Sequence, residues 1–271
     1  MEKQYLVCLS IAGSDPSGGA GMQADIKTFS ALGCYGAGVV TALTVQNTCG
    51  VSRSVPVPAD LVYEQTVAVL SDLQPMAIKI GMTGNTATTE AVASALTAAG
   101  TKQTFVVLDP VLCSSSGHTL LDAEAADVLR RRLMPLCHLV TPNLPEVREL
   151  TGIEEPRAAA EALMRQTGCP AVLVKGGHRD GAPTDWLFTA AGSEAFEGER
   201  VATRNTHGTG CALSSAIAAW SARGVPLSEA VARAKKYVGN ALKSGADVNI
   251  GNGHGPMNHF FHPVASIIKE K

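Results

Sequence analysis

The feature that most constrains the fold is a regular alternation of short apolar runs with longer segments of helical spacing. Six runs have the length and continuous hydrophobicity of buried strands: Leu6–Ala12, Gly38–Val45, Ala77–Ile80, Phe105–Leu108, His138–Val140 and Ala171–Val174. Five segments between them have helical spacing: Gly21–Leu32, Ala59–Leu73, Thr86–Ala99, Ala123–Leu133 and Arg157–Gln166. Repeated strand–helix–strand units with continuous apolar strands predict an α/β fold, a three-layer α/β/α sandwich with a mostly parallel central sheet.

The pattern changes after Val174. Asp185–Phe188 and Glu194–Phe196 are predicted to be short antiparallel edge strands, and Cys211–Arg223 and Leu227–Ala246 are predicted helices. No linker-like stretch or internal repeat interrupts the chain, so we expect a single domain over residues 1–271.

Charge and cysteine content exclude several classes of protein. Lys and Arg number 22 against 24 Asp and Glu, without a long basic run, which argues against nucleic acid binding. No apolar stretch approaches the roughly 20 residues that cross a bilayer, so no membrane contact is expected. The seven cysteines form no C-x-x-C pair, which indicates a reducing, cytoplasmic setting.

The first predicted strand ends in a glycine-rich loop, residues 13–25. Its glycines let backbone approach a ligand closely, and the loop leads into a helix whose N-terminus favours anions. Gly19–Ala24 also fits the G-x-G-x-x-A pattern of a dinucleotide-dependent oxidoreductase. However, the second strand ends in Thr44–Asn47, without the acidic residue that would hold a ribose.

A second glycine turn, Asn205–Cys211, precedes a predicted helix. Gly208, Thr209 and Gly210 would expose backbone N–H groups to an oxyanion or a transferring phosphoryl group. Cys211 falls in the first turn of that helix, where we expect the thiol pKa to lie below its free value and the thiolate to accept a proton. The alternative is a small buried cysteine at a helix–sheet contact.

Polar residues also follow three other strands. Asp109 and the pair Asn143 and Glu146 carry oxygen ligands suited to Mg²⁺, and Lys175 suits a phosphate. Each has an ordinary alternative: a turn at Asp109, a helix cap at Asn143 and a solvated lysine at Lys175. Because parallel strands end at one edge of a sheet, these groups should lie close to the Gly208–Gly210 turn. A cation site, a lysine and backbone N–H groups in one place are what phosphoryl transfer requires.

Six motifs in this order resemble the hydroxymethylpyrimidine/phosphomethylpyrimidine kinases of thiamine biosynthesis, in the ribokinase superfamily. The motifs are Ala12–Gly21, Gln46–Thr48, Lys79–Met82, Thr141–Glu146, Lys175–His178 and Asn205–Cys211. The resemblance implies a ribokinase-like fold and ATP-dependent phosphorylation of 4-amino-5-hydroxymethyl-2-methylpyrimidine to its monophosphate and then to the diphosphate. Cys211 stands where most ribokinase relatives carry an aspartate base.

The same resemblance implies roles for individual residues. Gln46 would read the polar edge of the pyrimidine, and Asp25 would lie beneath the ring. The ring pocket would be formed by Gly13, Ala20, Thr44, Met82 and Val111. Thr44 departs from the apolar residue expected there. Mg²⁺ would be held by Asp109 and Glu146, whereas the ATP would lie along Asn143, Lys175, Thr209 and Lys235, with Lys236 an equal candidate for Lys235.

Two further expectations concern assembly and a lid, and two alternative functions stay open. The resemblance implies a homodimer, and the serine-rich segment 109–118 is expected to be a lid over the substrate. The alternative activity is a pyridoxal/pyridoxine kinase of vitamin B6 salvage, or a bispecific enzyme, since pyridoxal is also a flat ring with a hydroxymethyl group. A non-catalytic pyrimidine-binding module would keep Gln46 without needing Asp109, Glu146, Lys175 and Cys211 together.

Overall fold

The computed structural model describes residues 3–100, 103–112, 123–177 and 181–270. Its strands in chain order are β1 (Lys3–Tyr5), β2 (Val7–Ser14), β3 (Tyr35–Asn47), β4 (Gly50–Pro56), β5 (Ala77–Ile80), β6 (Phe105–Leu108), β7 (Leu139–Val140), β8 (Ala171–Val174), β9 (Asp185–Thr189), β10 (Gly192–Phe196) and β11 (Ile268–Glu270). Nine of them form one sheet in the order β10-β9-β8-β7-β6-β5-β2-β3-β4, and β1 pairs with β11 separately.

The centre of the large sheet is parallel and its edges are antiparallel. Strands β3, β2, β5, β6, β7 and β8 run parallel to their neighbours, whereas β4 at one edge and β9 and β10 at the other run antiparallel. The six parallel strands therefore end at one edge of the sheet. The predicted edge strands after Val174 are confirmed.

Helices cover both faces of the sheet. They are α1 (Gly21–Ala31), α2 (Ala59–Leu73), α3 (Thr86–Ala99), α4 (Ala123–Val128), α5 (Leu144–Thr151), α6 (Pro156–Thr167), α7 (Thr209–Ala222) and α8 (Leu227–Ser244). Side chains of α2 to α6 pack in one core with strand residues such as Ile11 and Ile80. Those of α1, α7 and α8 pack in a second core against Cys8 and Val107. The predicted three-layer sandwich is confirmed.

Several element boundaries differ from the sequence prediction. Strand β3 extends over thirteen residues, and a turn connects it to the antiparallel strand β4. The sequence did not predict β4, because most of its side chains are polar or exposed. The predicted helix Ala123–Leu133 is helical throughout, but only α4 is α-helical. Residues Leu129–Leu133 form a π-helix and Met134–Leu136 a 3₁₀ turn that contains Pro135. Within the described ranges, no helix is both long and apolar enough to span a membrane.

Candidate active site

A cavity of about 1220 Å³ opens where the parallel strands end and helix α7 begins. This is the place at which open α/β sheets bind ligands. All but one of the predicted site residues line it: Gly13, Ala20, Thr44, Gln46, Met82, Asp109, Val111, Asn143, Glu146, Lys175, Gly208, Thr209, Gly210, Cys211 and Lys235. The exception is Asp25, which lies behind the cavity wall and is fully buried. Residues 113–118, which are most of the predicted lid 109–118, lie outside the described residues.

The two glycine-containing loops interlock at the centre of the cavity. Gly208, the residue before α7, has φ +75°, and a Cβ there would overlap the carbonyl oxygen of Gly19. A Cβ at Gly19 would in turn overlap the ring of His207. Gly208 must be glycine because the Gly19 carbonyl lies so close and because its own conformation is left-handed, and Gly19 must be glycine because the His207 ring occupies the space of a side chain.

Asp15 organises the first of these loops. Its carboxylate accepts hydrogen bonds from the Ser17 N–H at 2.8 Å, from the Ser17 hydroxyl at 2.7 Å and from the Ala20 N–H at 2.8 Å. It also lies 2.8 Å from His207 Nε2, on the second loop. Burial opposes its ionisation, but the hydrogen bonds from His207, Ser17 and Ala20 outweigh burial and lower the pKa of Asp15 to about 2. The loop is thus built around a charged carboxylate.

Cys211 lies in the first turn of α7 and lines the cavity, but its thiol is not activated as the sequence interpretation expected. Burial raises the thiol pKa above its ordinary value, and the negative charges of Asp25 and Asp109 act in the same direction. The charge of Lys79 and the Gly21 N–H act against burial without overcoming it. The expectation of a lowered pKa was wrong because it considered the helix N-terminus and not the desolvation of the sulfur.

Asp25 and Lys79 form a buried ion pair beneath the cavity. Lys79 Nζ lies 2.8 Å from both carboxylate oxygens of Asp25, and both side chains are fully buried. Hydroxyls of Ser10 and Ser215 donate to the same carboxylate at 2.6 and 2.7 Å. Burial disfavours the Lys79 charge, but attraction to Asp25, then to Cys211 and Asp109, outweighs it and raises the lysine pKa. Asp25 therefore acts through Lys79, which does line the cavity.

The polar ends of β6, β7 and β8 converge as predicted. Lys175 Nζ lies 2.5 Å from Asp109 Oδ1 and 3.9 Å from Glu146 Oε2. A Cβ on Gly210 would lie 3.5 Å from Lys175 Nζ and 3.8 Å from Asp109 Oδ2, so the glycine turn faces this group directly. Burial is the main cause that raises the pKa of Glu146 to about 7, and the Asp109 charge adds to it while Lys175 opposes it.

The carboxylate oxygens of Asp109 and Glu146 are suitable ligands for Mg²⁺. Two carboxylates, Asp109 and Glu146, already share one cationic group, the Lys175 ammonium. Among the described residues no three His, Cys, Asp or Glu side chains come together to enclose a metal. Mg²⁺ bound with substrate phosphates needs only one or two carboxylates, because water and phosphate oxygens complete its shell.

Asn143 serves as the N-cap of α5 while it lines the cavity. Its side chain accepts from the Glu146 N–H at 2.8 Å, and Glu146 Oε2 accepts from the Asn143 N–H at 2.7 Å. This is a capping box. The two interpretations that the sequence left open, helix cap and cleft residue, therefore apply to the same side chain.

Lys235 on α8 lies at the far end of the cavity. Its Nζ is 2.7 Å from Asp185 Oδ2, and Asp185 Oδ1 accepts from the Gly176 N–H at 3.0 Å. Lys236 also lines the cavity, but it is exposed, whereas Lys235 is half-buried. Of the two lysines, Lys235 is the one that the structure fixes in place.

At the opposite end, small and apolar groups stand beside two polar side chains. A Cβ on Gly13 would lie 2.5 Å from Met82 Cε, so this glycine makes room for the methionine. The Thr44 hydroxyl donates to the Ser14 carbonyl at 2.8 Å, and Gln46 reaches His207 at 3.0 Å. Thr44 thus uses its extra hydroxyl to hold the first loop.

Sequence reasoning assigned no role to three residues that shape this site. Asp15, Lys79 and Asp185 each form a buried ion pair or hydrogen-bonded centre at the cavity. Asp15 and Lys79 stand inside motifs that the sequence analysis quoted. A charged residue within or directly after a continuous apolar strand was the available signal, because such a charge must find a partner when it is buried.

An α/β/α sandwich with a glycine turn, two carboxylates and a lysine at the ends of its parallel strands defines a phosphotransferase of the ribokinase-like class. The family model described as phosphomethylpyrimidine kinase matches residues 15–258. The chain belongs to that family.

Individual relatives agree with this assignment. A hydroxymethylpyrimidine/phosphomethylpyrimidine kinase of Rhizobium meliloti is 49% identical, over 94% of this chain and 97% of its own. The crystal structure of a phosphomethylpyrimidine kinase from Clostridium difficile is 38% identical with a TM-score of 0.77, covering 88% of this chain and 99% of that one. A Staphylococcus aureus pyridoxal kinase in complex with AMP-PCP is 30% identical with a TM-score of 0.85, covering 98% of each chain.

Proposed function

We propose that this protein is a cytoplasmic, homodimeric, single-domain kinase that uses Mg²⁺ and ATP to phosphorylate 4-amino-5-hydroxymethyl-2-methylpyrimidine and then its monophosphate, for thiamine biosynthesis. Membership of the phosphomethylpyrimidine kinase family supports the substrate class. The observation that carries the chemistry is the meeting of the Gly208–Gly210 turn with Lys175, Asp109 and Glu146.

The first transfer forms a bond between the substrate oxygen and the γ-phosphorus and breaks the bond between that phosphorus and the β,γ-bridging oxygen of ATP. Backbone N–H groups at the start of α7 would bind the charge that develops on the transferring group. Lys175 and Lys235 would neutralise phosphate charge, and Asp109 and Glu146 would hold Mg²⁺. When bound, Mg²⁺ supplies positive charge that offsets the charge of the phosphate oxygens.

Cys211 is the proposed acceptor of the hydroxyl proton, which its thiolate takes up as the phosphorus–oxygen bond forms. Because burial raises the pKa of this thiol, only a small fraction of the ligand-free protein carries the thiolate at neutral pH, and the rate should rise with pH. Removal of a general base typically costs 10²- to 10⁴-fold in rate. We therefore expect Cys211→Ala to lower kcat by about 100-fold or more, as measured by ADP release at saturating substrates. The exposed Cys49→Ala is the matched control, although it also borders the cavity. Full turnover by Cys211→Ala would remove Cys211 from this role.

The test of the function is ADP release with Mg·ATP, with hydroxymethylpyrimidine and pyridoxal offered in separate reactions and products resolved by mass. Mono- and diphosphate from the pyrimidine are expected. Pyridoxal is included because the S. aureus pyridoxal kinase has the higher TM-score, 0.85 against 0.77. Products from both substrates would show a bispecific enzyme, and silence with the pyrimidine would overturn the proposal. Light scattering that shows only a 28 kDa species would overturn the homodimer.

A further inference from the structure

The side chains of Asp15 and Gln46 both contact one ring nitrogen of His207, at the end of the cavity that Gly13, Thr44 and Met82 line. His207 Nε2 lies 2.8 Å from Asp15 Oδ2 and 3.0 Å from the carboxamide nitrogen of Gln46 as placed. The His207 ring is fixed, because its Cδ2 edge lies against Gly19 and the backbone N–H of His207 donates to the Gly255 carbonyl at 3.0 Å. One ring nitrogen must therefore satisfy two different partners.

The number of hydrogens on each group determines whether His207 or Gln46 is the donor. The Asp15 carboxylate is ionised and only accepts, so His207 Nε2 must carry a hydrogen. This holds for the neutral Nε2–H tautomer and for the imidazolium alike. Asp15 and Gln46 share that single hydrogen in a three-centre hydrogen bond, so the Gln46 atom that faces this nitrogen must be an acceptor. A half-turn of the carboxamide exchanges its oxygen and nitrogen without moving any other atom, and it places the oxygen there.

Thr44 requires the same orientation from the other end of the carboxamide. Its hydroxyl has a single hydrogen, which it donates to the Ser14 carbonyl at 2.8 Å. Towards Gln46, 3.3 Å away, Thr44 Oγ1 therefore offers only a lone pair, which calls for the amide nitrogen. After both contacts, the carboxamide keeps one hydrogen on the Thr44 side and one lone pair on the His207 side for a ligand.

We propose that His207 is a positioning residue that locks the Gln46 carboxamide in this orientation and so sets the specificity for a ring edge with an amino group beside an unprotonated ring nitrogen. This inference rests on the proposed function. In the proposed substrate the amino carbon lies between a ring nitrogen and the carbon that carries the hydroxymethyl group. With the amino group on the His207 side, the hydroxymethyl group lies on the side of the Gly208–Cys211 turn. The opposite carboxamide orientation would turn the ring over and move that group away.

The test compares the 4-amino substrate with its 4-oxo counterpart, in which the ring edge presents N–H and C=O and thus the reversed pattern. We expect the wild type to prefer the 4-amino compound by about 10³-fold or more in kcat/KM, since unpaired polar groups are strongly rejected. In His207→Phe the carboxamide is free to turn, and the preference should fall at least tenfold. His207→Gln places an amide N–H near the position of Nε2 and should restore it.

Ser17→Ala is the matched control, because it removes one hydrogen bond to Asp15 and leaves His207 and Gln46 in place. It should keep the wild-type preference. An unchanged preference in His207→Phe overturns the inference even if its overall activity is low. If that variant does not fold, His207→Leu, which also lacks a ring nitrogen, takes its place, and an unchanged preference there is equally decisive. Failure of the wild type to phosphorylate the 4-amino compound would instead overturn the proposed function.

Discussion

At the scale of single residues, Gly208 and Gly19 bring the two glycine-containing loops together so closely that neither position has room for a Cβ. A Cβ on Gly208 would overlap the Gly19 carbonyl oxygen, and its φ of +75° adds the cost of a left-handed conformation, about 1 to 2 kcal/mol. We expect Gly208→Ala to lower the free energy of unfolding by more than that conformational cost alone. It should also reduce kcat/KM, because the glycine-rich loop of residues 13–25 must move away from the turn. Urea denaturation and steady-state kinetics measure the two effects.

Gly100→Ala separates conformation from contact. Gly100 has a similar φ of +65°, but a Cβ there meets nothing within 4 Å. This variant should lose only about 1 to 2 kcal/mol and keep wild-type kinetics. Equal effects of the two substitutions would show that the loops do not depend on their contact.

The identities of the site residues were readable from the sequence, but their partners were not. Strand ends identified Asp109, Glu146 and Lys175, because each comes after an apolar run, and the glycine turn was identified because it precedes a predicted helix. The pairing of Lys79 with Asp25 joins residues that are 54 positions apart, so no local pattern reveals it. For the same reason the thiol pKa of Cys211 was misjudged, since desolvation depends on what the fold packs around the sulfur.

At the scale of elements, the continuous apolar strands, the edge strands β9 and β10 and the longer helices were predictable, whereas β4 and α5 were not. Strand β4 lies at the edge of the sheet with most of its residues exposed, so it needs no continuous apolar run, and its Gly, Ser, Arg and Pro residues resemble those of a loop. Helix α5 has only eight residues, and its capping signal was seen without the helix that follows it. Both elements matter, because β4 pairs with the end of β3 that carries Gln46 and α5 presents Glu146.

Helix α5 allows its cap to be separated from ligand binding. Asn143→Ala should lower the free energy of unfolding by about 1 kcal/mol through loss of the N-cap, and it should raise the KM for ATP if the side chain also contacts the nucleotide. Asn143→Ser keeps a capping oxygen on a shorter side chain. It should recover the stability while the KM stays raised. Recovery of both would leave Asn143 with the capping role alone.

At the scale of the whole molecule, the sequence predicted the layers and the edge at which the site lies, because the direction of parallel strands fixes both. It could not predict how burial redistributes charge. Glu146 and His259 are both buried, with 7% and 4% of their surface exposed, and their pKa values move in opposite directions. Burial raises the pKa of Glu146 to about 7, whereas burial, with the nearby charge of Lys27, lowers the pKa of His259 to about 4.

These shifts give opposing pH dependences of stability. An unfolded His259 binds a proton below about pH 6.5, but the folded one does not until about pH 4, so its contribution is lost on acidification through that window, by up to about 3 kcal/mol. Glu146 ionises near pH 4.5 when unfolded and near 7 when folded, so its contribution is lost as the pH rises. Between pH 4.5 and 6.5 the two slopes should largely cancel in the wild type.

Replacing either His259 or Glu146 should therefore reveal the pH dependence of stability that the remaining residue causes. His259→Phe keeps a ring of similar size without a titrating nitrogen, and its stability should fall as the pH rises from 4.5 to 6.5. Glu146→Gln should show the opposite slope over the same range. Urea midpoints at four pH values, without Mg²⁺ or ATP, measure both variants. If the stability difference between wild type and His259→Phe does not change with pH, His259 has no shifted pKa, and the near-constant stability of the wild type needs another cause.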